Sequence, residues 1–474
     1  MVDVLTGAIA PSVPLLFEPI PFNTVFLAVA EAEPIEAPGS LVLAGVLVSL
    51  IVIYAASKLG GELCARINLP PVLGELVGGV LVGVSALQLI IFPGEGISAA
   101  DSLLMRFLEF TAGLNPEVVA AVFQSQGEVI EILSELGVII LLFEIGLESR
   151  LDELLRVGAQ AAIVAVVGVA APFAAGTLGL IYFFHIAAVP AIFAGAALTA
   201  TSIGITAKVL AEIGQLSSTE GQIIIGAAVL DDVLGIIVLA VVASLAKTGE
   251  VEIGNIIYLI ISAAVFLVGA ILLGRYIIRP VYESLVARMK TRGELLLVAL
   301  VFVFALSYVA TVIQLEAILG SFAAGLILAE TRNRNDLEKQ VLPVADMLVP
   351  IFFVVVGART DLSVLNPAVP ANREGLVIAA FLIGVAIVGK VITGFTVFGQ
   401  AEINKLAIGV GMIPRGEVGL VFAGVGAESG ALSSATEAAI IMMVISTTFL
   451  APPLLRVVFR EPDDTSPQAV ETGS

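Results

Sequence analysis

The sequence predicts an all-α polytopic membrane protein with about thirteen transmembrane helices in two inverted-topology repeats. Three observations carry that expectation. Of 474 residues, 59% are hydrophobic and 13% charged, with no tryptophan and a mean hydropathy of +1.09, whereas a soluble domain carries about 25% charged residues. Apolar runs long enough to cross a bilayer recur along most of the chain. Two pairs of motifs return in the second half at related offsets.

Residues 1–40 hold six prolines and no Lys or Arg, and read as an irregular extramembrane lead. The run from Phe22 to Ala30 resembles the end of a signal peptide but lacks a basic leader. Spans are expected at about 41–59, 70–94, 128–148, 157–184, 189–212, 220–246, 253–274, 293–313, 315–330, 343–361, 374–397, 403–427 and 434–458. Residues 95–127, with Arg106, Glu109, Pro116 and Glu117, read as an amphipathic connector, and 461–474 as a disordered tail.

Charge sets the orientation. With the N-terminus outside, sixteen Lys and Arg residues, from Lys58 and Arg66 to Arg456 and Arg460, fall inside; Arg106, Lys247 and Arg373 fall outside. That bias is the positive-inside rule with an odd number of spans. The net charge of −19 argues against nucleic acid as a partner. A single cysteine, Cys64, excludes an intramolecular disulfide framework and reads as a small apolar filler.

The repeat is legible in Leu69-Pro-Pro-Val-Leu-Gly74-Glu-Leu-Val-Gly-Gly79 against Leu315-Glu-Ala-Ile-Leu-Gly320-Ser-Phe-Ala-Ala-Gly325, 246 residues apart. A second pair, Leu141 to Leu151 against Phe352 to Leu362, is 211 apart, and the difference of 35 is about the length of the connector found only in the first half. The matched spans are an odd number apart, so the halves lie in opposite orientations, as in secondary transporters with mid-membrane sites. Two corresponding stretches also interrupt their spans with helix-weakening residues: Ala197 to Thr206, and Met412-Ile-Pro414-Arg415-Gly416-Glu417-Val-Gly419. Broken helices there would offer backbone carbonyls and half-helix ends to an ion.

Asp231 and Asp232 stand at the centre of an apolar stretch, 220–246. Each carboxylate costs roughly 2.5–3.5 kcal/mol at mid-membrane on insertion scales, which marks the pair as an ion or proton site. Adjacent helical positions diverge by about 100°, so one carboxylate can face a partner helix and the other a cavity. Lys390, deep in its own span, needs a counter-charge, and one of the two aspartates is available. Arg415 and Glu417 are expected to pair within the bundle, and Glu148, at the inner end of its span, to line a funnel. Glu75, Glu144 and Glu316 read as structural or cavity-lining carboxylates, and His185 as a loop residue. The stretch Gly384 to Lys390 mimics a phosphate-binding loop, but Val391 replaces the required Ser or Thr and no strand precedes it. Nucleotide binding and a primary pump are set aside, and no enzymatic activity is expected.

Four motifs in order, Asn68 to Gly79, Leu141 to Glu148, Ala228 to Gly235 and Ile413 to Leu420, resemble the second family of monovalent cation/proton antiporters. The likeness covers residues 41–458. It implies a homodimer with dimerisation helices at about 41–94 and 293–330 and a linker helix at 253–274. The translocating core would lie at about 128–246 and 343–458, with two crossed broken helices at 189–212 and 403–427. By the resemblance Asp232 binds the cation and protons in alternation. Asp231 pairs with Lys390, as in the electrogenic two-carboxylate branch, and Thr201 and Ser202 lie at the crossing. The transported species would be Na⁺ and H⁺ with no cofactor, in a bacterial plasma membrane or an internal membrane such as the thylakoid. The residues after 460 do not read as the nucleotide-binding regulatory domain of the family's potassium-efflux members. A potassium or broad monovalent cation/proton antiporter on the same fold is the alternative, and a passive cation channel a further one.

Overall fold

The computed structural model describes residues 37–94, 97–149, 151–248, 253–289, 293–366, 370–398 and 403–459. Most of the expected N-terminal lead and the whole tail lie outside them. In chain order the helices are α1 Gly39–Arg66, α2 Pro71–Val82, α3 Leu103–Ala112, α4 Pro116–Glu148, α5 Leu151–Phe183, α6 Ala188–Ala197, α7 Ile203–Glu212, α8 Thr219–Thr248 and α9 Ile253–Leu273. A π-turn at Gly274–Ile278 leads into α10 Arg279–Arg288. Then follow α11 Glu294–Val312, α12 Ala317–Ala329, α13 Arg334–Ala358, α14 Pro370–Gly394, α15 Lys405–Gly411, α16 Glu417–Glu428 and α17 Ser434–Phe459.

A helix, or a pair of half-helices, stands at each expected span, but in 70–94 the helix ends at Val82 and residues 83–94 are turns and non-helical chain. Among the described residues eight helices are long and apolar enough to cross a membrane on their own, and α2, α6, α12 and residues 418–427 of α16 are shorter apolar helices. The 95–127 segment departs from expectation. Residues 103–112 form α3, started by Ser102, whose hydroxyl accepts the Met105 N–H, and stopped by left-handed Gly113. Residues 116–127 are the first turns of α4, because Pro116 occupies N1, where a missing N–H costs nothing. Polar residues there escape a hydropathy reading: Gln126 is buried and donates to Ser49 Oγ at 3.0 Å.

The helices pack as two bundles. In one, α2 packs on α1 and α13, α4 on α12 and α13, and α11 on α12. In the other, α5 packs on α6, α8 and α14, and α17 on α14, α15 and α16. Residues 128–148 and 343–361, expected with the translocating core, thus pack on α2 and α12 instead. The repeat motifs explain the contact. Gly79 of α2 meets Gly357 of α13, and Gly325 of α12 meets Gly146 of α4. A Cβ on Gly357 would stand 2.9 Å from the Gly79 Cα, and one on Gly325 2.7 Å from the Gly146 Cα. Each half supplies one partner to each interface, so the two contacts are related by the repeat. Only glycine permits backbones to approach this closely.

Candidate ion-binding site

The helix of 188–212 is broken at residues 198–202 and that of 405–428 at 412–416. The breaks lie against each other: the Ser202 N–H donates to the Pro414 carbonyl at 2.8 Å, and Thr201 Oγ1 to the Met412 carbonyl at 3.2 Å. Thr206 Oγ1 donates to the Gly411 carbonyl at 3.0 Å. Carbonyls at the end of α15 that have no helical partner are thereby satisfied by hydroxyls of the opposite helix.

Arg415 is fully buried and does the same with charge. Its guanidinium donates to Met412 and Ile413 carbonyls at 3.2 and 3.3 Å, and across the crossing to the Leu198 carbonyl at 2.6 Å. Arg415 is thus held by backbone carbonyls at the negative ends of α6 and α15, and the expected Arg415–Glu417 pair falls on the Glu417 side chain, which lies outside the described residues.

Asp231 and Asp232, midway along α8, are 0% and 4% exposed. Asp231 Oδ2 accepts from Lys390 Nζ at 3.0 Å, and that ammonium is itself 0% exposed. Of the two candidate counter-charges, then, Asp231 is the partner. Its Oδ1 is buried and accepts no hydrogen bond among the described residues. Asp232 is turned toward a cavity of about 10 Å³ that it lines with Thr201, Ser202, Gly416 and Ile318, about the least volume that admits one water. The two carboxylates therefore divide as their helical spacing requires, one to an ammonium and one to a cavity at the crossing.

A second cavity, of about 760 Å³, shares Gly416 and Ile318 with the first. One wall is α16 and α17, with Leu420, Val421, Ile441 and Thr448; the other is α4, α12 and α13, with Val138, Phe352 and Val356. Its lining extends to Arg359, whose Nη2 lies 2.8 Å from Glu131 Oε1 and whose guanidinium stacks 4.6 Å from the Phe92 ring centre. Glu148 ends α4 at the opposite end, where its carbonyl accepts from Arg334, and does not line this cavity. At that end α7 packs on α2 and α4.

Thr206, Thr448 and the Leu198 carbonyl were not singled out from sequence. Thr206 sits in the same polar interruption as Thr201. Thr448, which donates to the Arg415 carbonyl at 2.5 Å, leaves no signal beyond a hydroxyl in an apolar span.

Residues 42–461 match the family described as sodium/hydrogen exchanger, transmembrane. The high-affinity Na⁺/H⁺ antiporter NhaS3 of Synechocystis is 72% identical over 439 residues, 93% of this chain and 95% of that protein. The Na⁺/H⁺-K⁺ antiporter GerN of Bacillus cereus is 31% identical over 87% of this chain and 96% of its own length. Among solved structures, the sodium proton antiporter MjNhaP1 of Methanocaldococcus jannaschii superposes with a TM-score of 0.59 at 18% identity, covering 87% of this chain and 96% of that one, a likeness of fold.

Proposed function

We propose that this chain, which belongs to the sodium/hydrogen exchanger family, exchanges sodium for protons by alternating access, with Asp232 holding the cation at the helix crossing. The observation that carries this reading is the buried pair itself: Asp232 at a cavity floored by broken-helix backbone, beside Asp231 in contact with Lys390. A carboxyl group in low dielectric is tolerated either ionised beside a compensating cation or neutral with a proton bound. Cation and proton therefore compete for one place, and each leaves as the other arrives. A cation held between both carboxylates draws Asp231 from Lys390, which then loses its counter-charge and releases its proton. The charge moved in the two half-cycles differs, which is the electrogenic form of the exchange. Sodium as cargo is supported by the name of the Synechocystis relative, and potassium as a second cargo by that of the Bacillus one.

The positive-inside bias puts the Arg359 end outside, so the wide cavity describes an outward-open state. The bundle of α5–α8 and α14–α17 carries the site, and the bundle of α1, α2, α4 and α11–α13 is the frame against which it moves. The second copy of the expected homodimer is assigned to the frame. Proteoliposomes with an imposed pH gradient test the reading. Sodium collapses the gradient with wild type and not with Asp232→Asn, while Lys390→Ala retains exchange but loses its response to membrane potential. Exchange by Asp232→Asn at the wild-type rate would sink the assignment.

A further inference from the structure

The two half-helices that follow the breaks correspond in the repeat but are held differently. α16 borders the wide cavity, and its residues 418–427 include no charged side chain. α7 lies against α2 and α4, and its last turns carry Lys208 and Glu212, four residues apart and so on one face. Both are half-buried.

Glu212 reaches out of its own bundle to the start of α2. Its carboxylate oxygens accept the Val72 backbone N–H at 3.2 and 3.4 Å. Pro70, at the N-cap, offers no side-chain acceptor and Pro71 at N1 has no N–H, so Val72 bears the first open donor of that helix. Glu212 is the missing cap, supplied by the other bundle, with its negative charge at the positive end of α2. One turn back, Lys208 acts electrostatically on Glu75 of α2 and on Glu144 and Glu148 of α4. Asp346 of α13 adds to the acidity of the same wall. Glu75 Oε2 and Glu144 Oε2 are buried with no hydrogen-bond partner among the described residues; Lys58 also acts on Glu75 and Arg334 on Glu148.

We infer that Glu212 and Lys208 form a latch between the two bundles that holds the cytoplasmic side shut and biases the carrier toward its outward-open state. The inference rests on the alternating-access reading. For the site to open inward, α7 must leave α2 and α4, which uncaps Val72 and parts Lys208 from three carboxylates. On α16 the stretch 418–427 carries no charged residue, and its glutamates, Glu417 and Glu428, stand at the two ends of the helix. Neither residue touches the transported ion; both are positioning residues that act on the population of the two states.

The test measures the sodium dependence of exchange from each face, with full-length protein in membrane vesicles of defined sidedness. Glu212→Gln and Lys208→Ala are each expected to lower KM for cytoplasmic sodium about fivefold and to raise KM for external sodium by a similar factor, since apparent affinity scales with the population of the competent state. Glu212→Asp, which keeps the carboxylate, is expected to lie between Gln and wild type. Cys64, the sole cysteine, is buried on α1 within electrostatic reach of Glu212. Its alkylation by an impermeant maleimide from the cytoplasmic side is expected to quicken in Glu212→Gln. If both KM values move in the same direction, or if neither KM nor labelling changes while exchange continues, the latch is overturned and the antiport reading stands. If wild-type vesicles move no protons in response to sodium, both fall together.

Discussion

The cytoplasmic and external halves of the site are built from equivalent broken helices, yet only one is closed. On the cytoplasmic side α7 lies on α2 and α4 with Glu212 capping Val72. On the external side α16 stands across a cavity of about 760 Å³ from α4, α12 and α13. The backbone interruption is common to both, so the break does not decide which side opens. What differs is the contact each half-helix makes: Glu212 of α7 caps Val72 across the bundles, whereas the uncharged stretch 418–427 of α16 borders the cavity. A pseudo-symmetric fold becomes directional through a few side chains placed off the symmetry.

The largest change is expected from removing what both halves share. Arg415→Met removes the guanidinium from the Leu198 and Ile413 carbonyls and leaves the Met412 carbonyl with Thr201 Oγ1 as its side-chain donor. It is expected to cost about 3–5 kcal/mol, as when one partner of a buried charged network is deleted. Thermal unfolding of the purified protein measures this, and a melting temperature equal to wild type would mean that the carbonyls are otherwise satisfied.

A pair of tryptophan substitutions sharpens the contrast between the halves. Ala207 on α7 is fully buried, and Val421 on α16 is 45% exposed. Ala207→Trp is expected to destabilise by about 1–3 kcal/mol through overpacking. Val421→Trp is expected to stay within about 0.5 kcal/mol of wild type, while slowing transport because the ring obstructs closure of α16 on α13. Equal losses of stability at the two positions would contradict an outward-open structure.

The smallest effect belongs to the mouth of the external cavity. Arg359 and Glu131 are 42% and 46% exposed in their side chains, so Arg359→Gln changes stability by at most about 1 kcal/mol. Removing a positive charge from the path of a cation should lower KM for external sodium about twofold at low ionic strength, with no effect at high salt. A change that persists in high salt would point to a structural role for the Phe92 contact.

Much of this was legible in the sequence because it rests on residue types that are costly in a membrane. Asp231, Asp232 and Lys390 announce themselves by charge, and the breaks by Pro414, Gly416 and the hydroxyls of 199–206. The repeat glycines were visible as motifs, although not as the contacts of Gly79 with Gly357 and Gly146 with Gly325, which depend on how the halves fold together. What escaped were interactions with backbone. The partners of Arg415 are carbonyls that exist as free acceptors only once two helices have broken. The partner of Glu212 is an N–H left open by a proline pair more than a hundred residues away. The first turns of α4 escaped for another reason: buried Gln126 and its neighbours carry too little hydropathy to register as part of a span. That α13 packs on α2 and α4 on α12 depends likewise on how the two halves fold together.

Competition between sodium and protons at Asp232 is tested most directly by sodium binding to the purified protein, followed by calorimetry in buffers of different ionisation enthalpy. Binding is expected to release protons, to weaken as pH falls, and to be lost in Asp232→Asn. Sodium binding of equal strength at all pH values, or with no proton released, would contradict a single shared site.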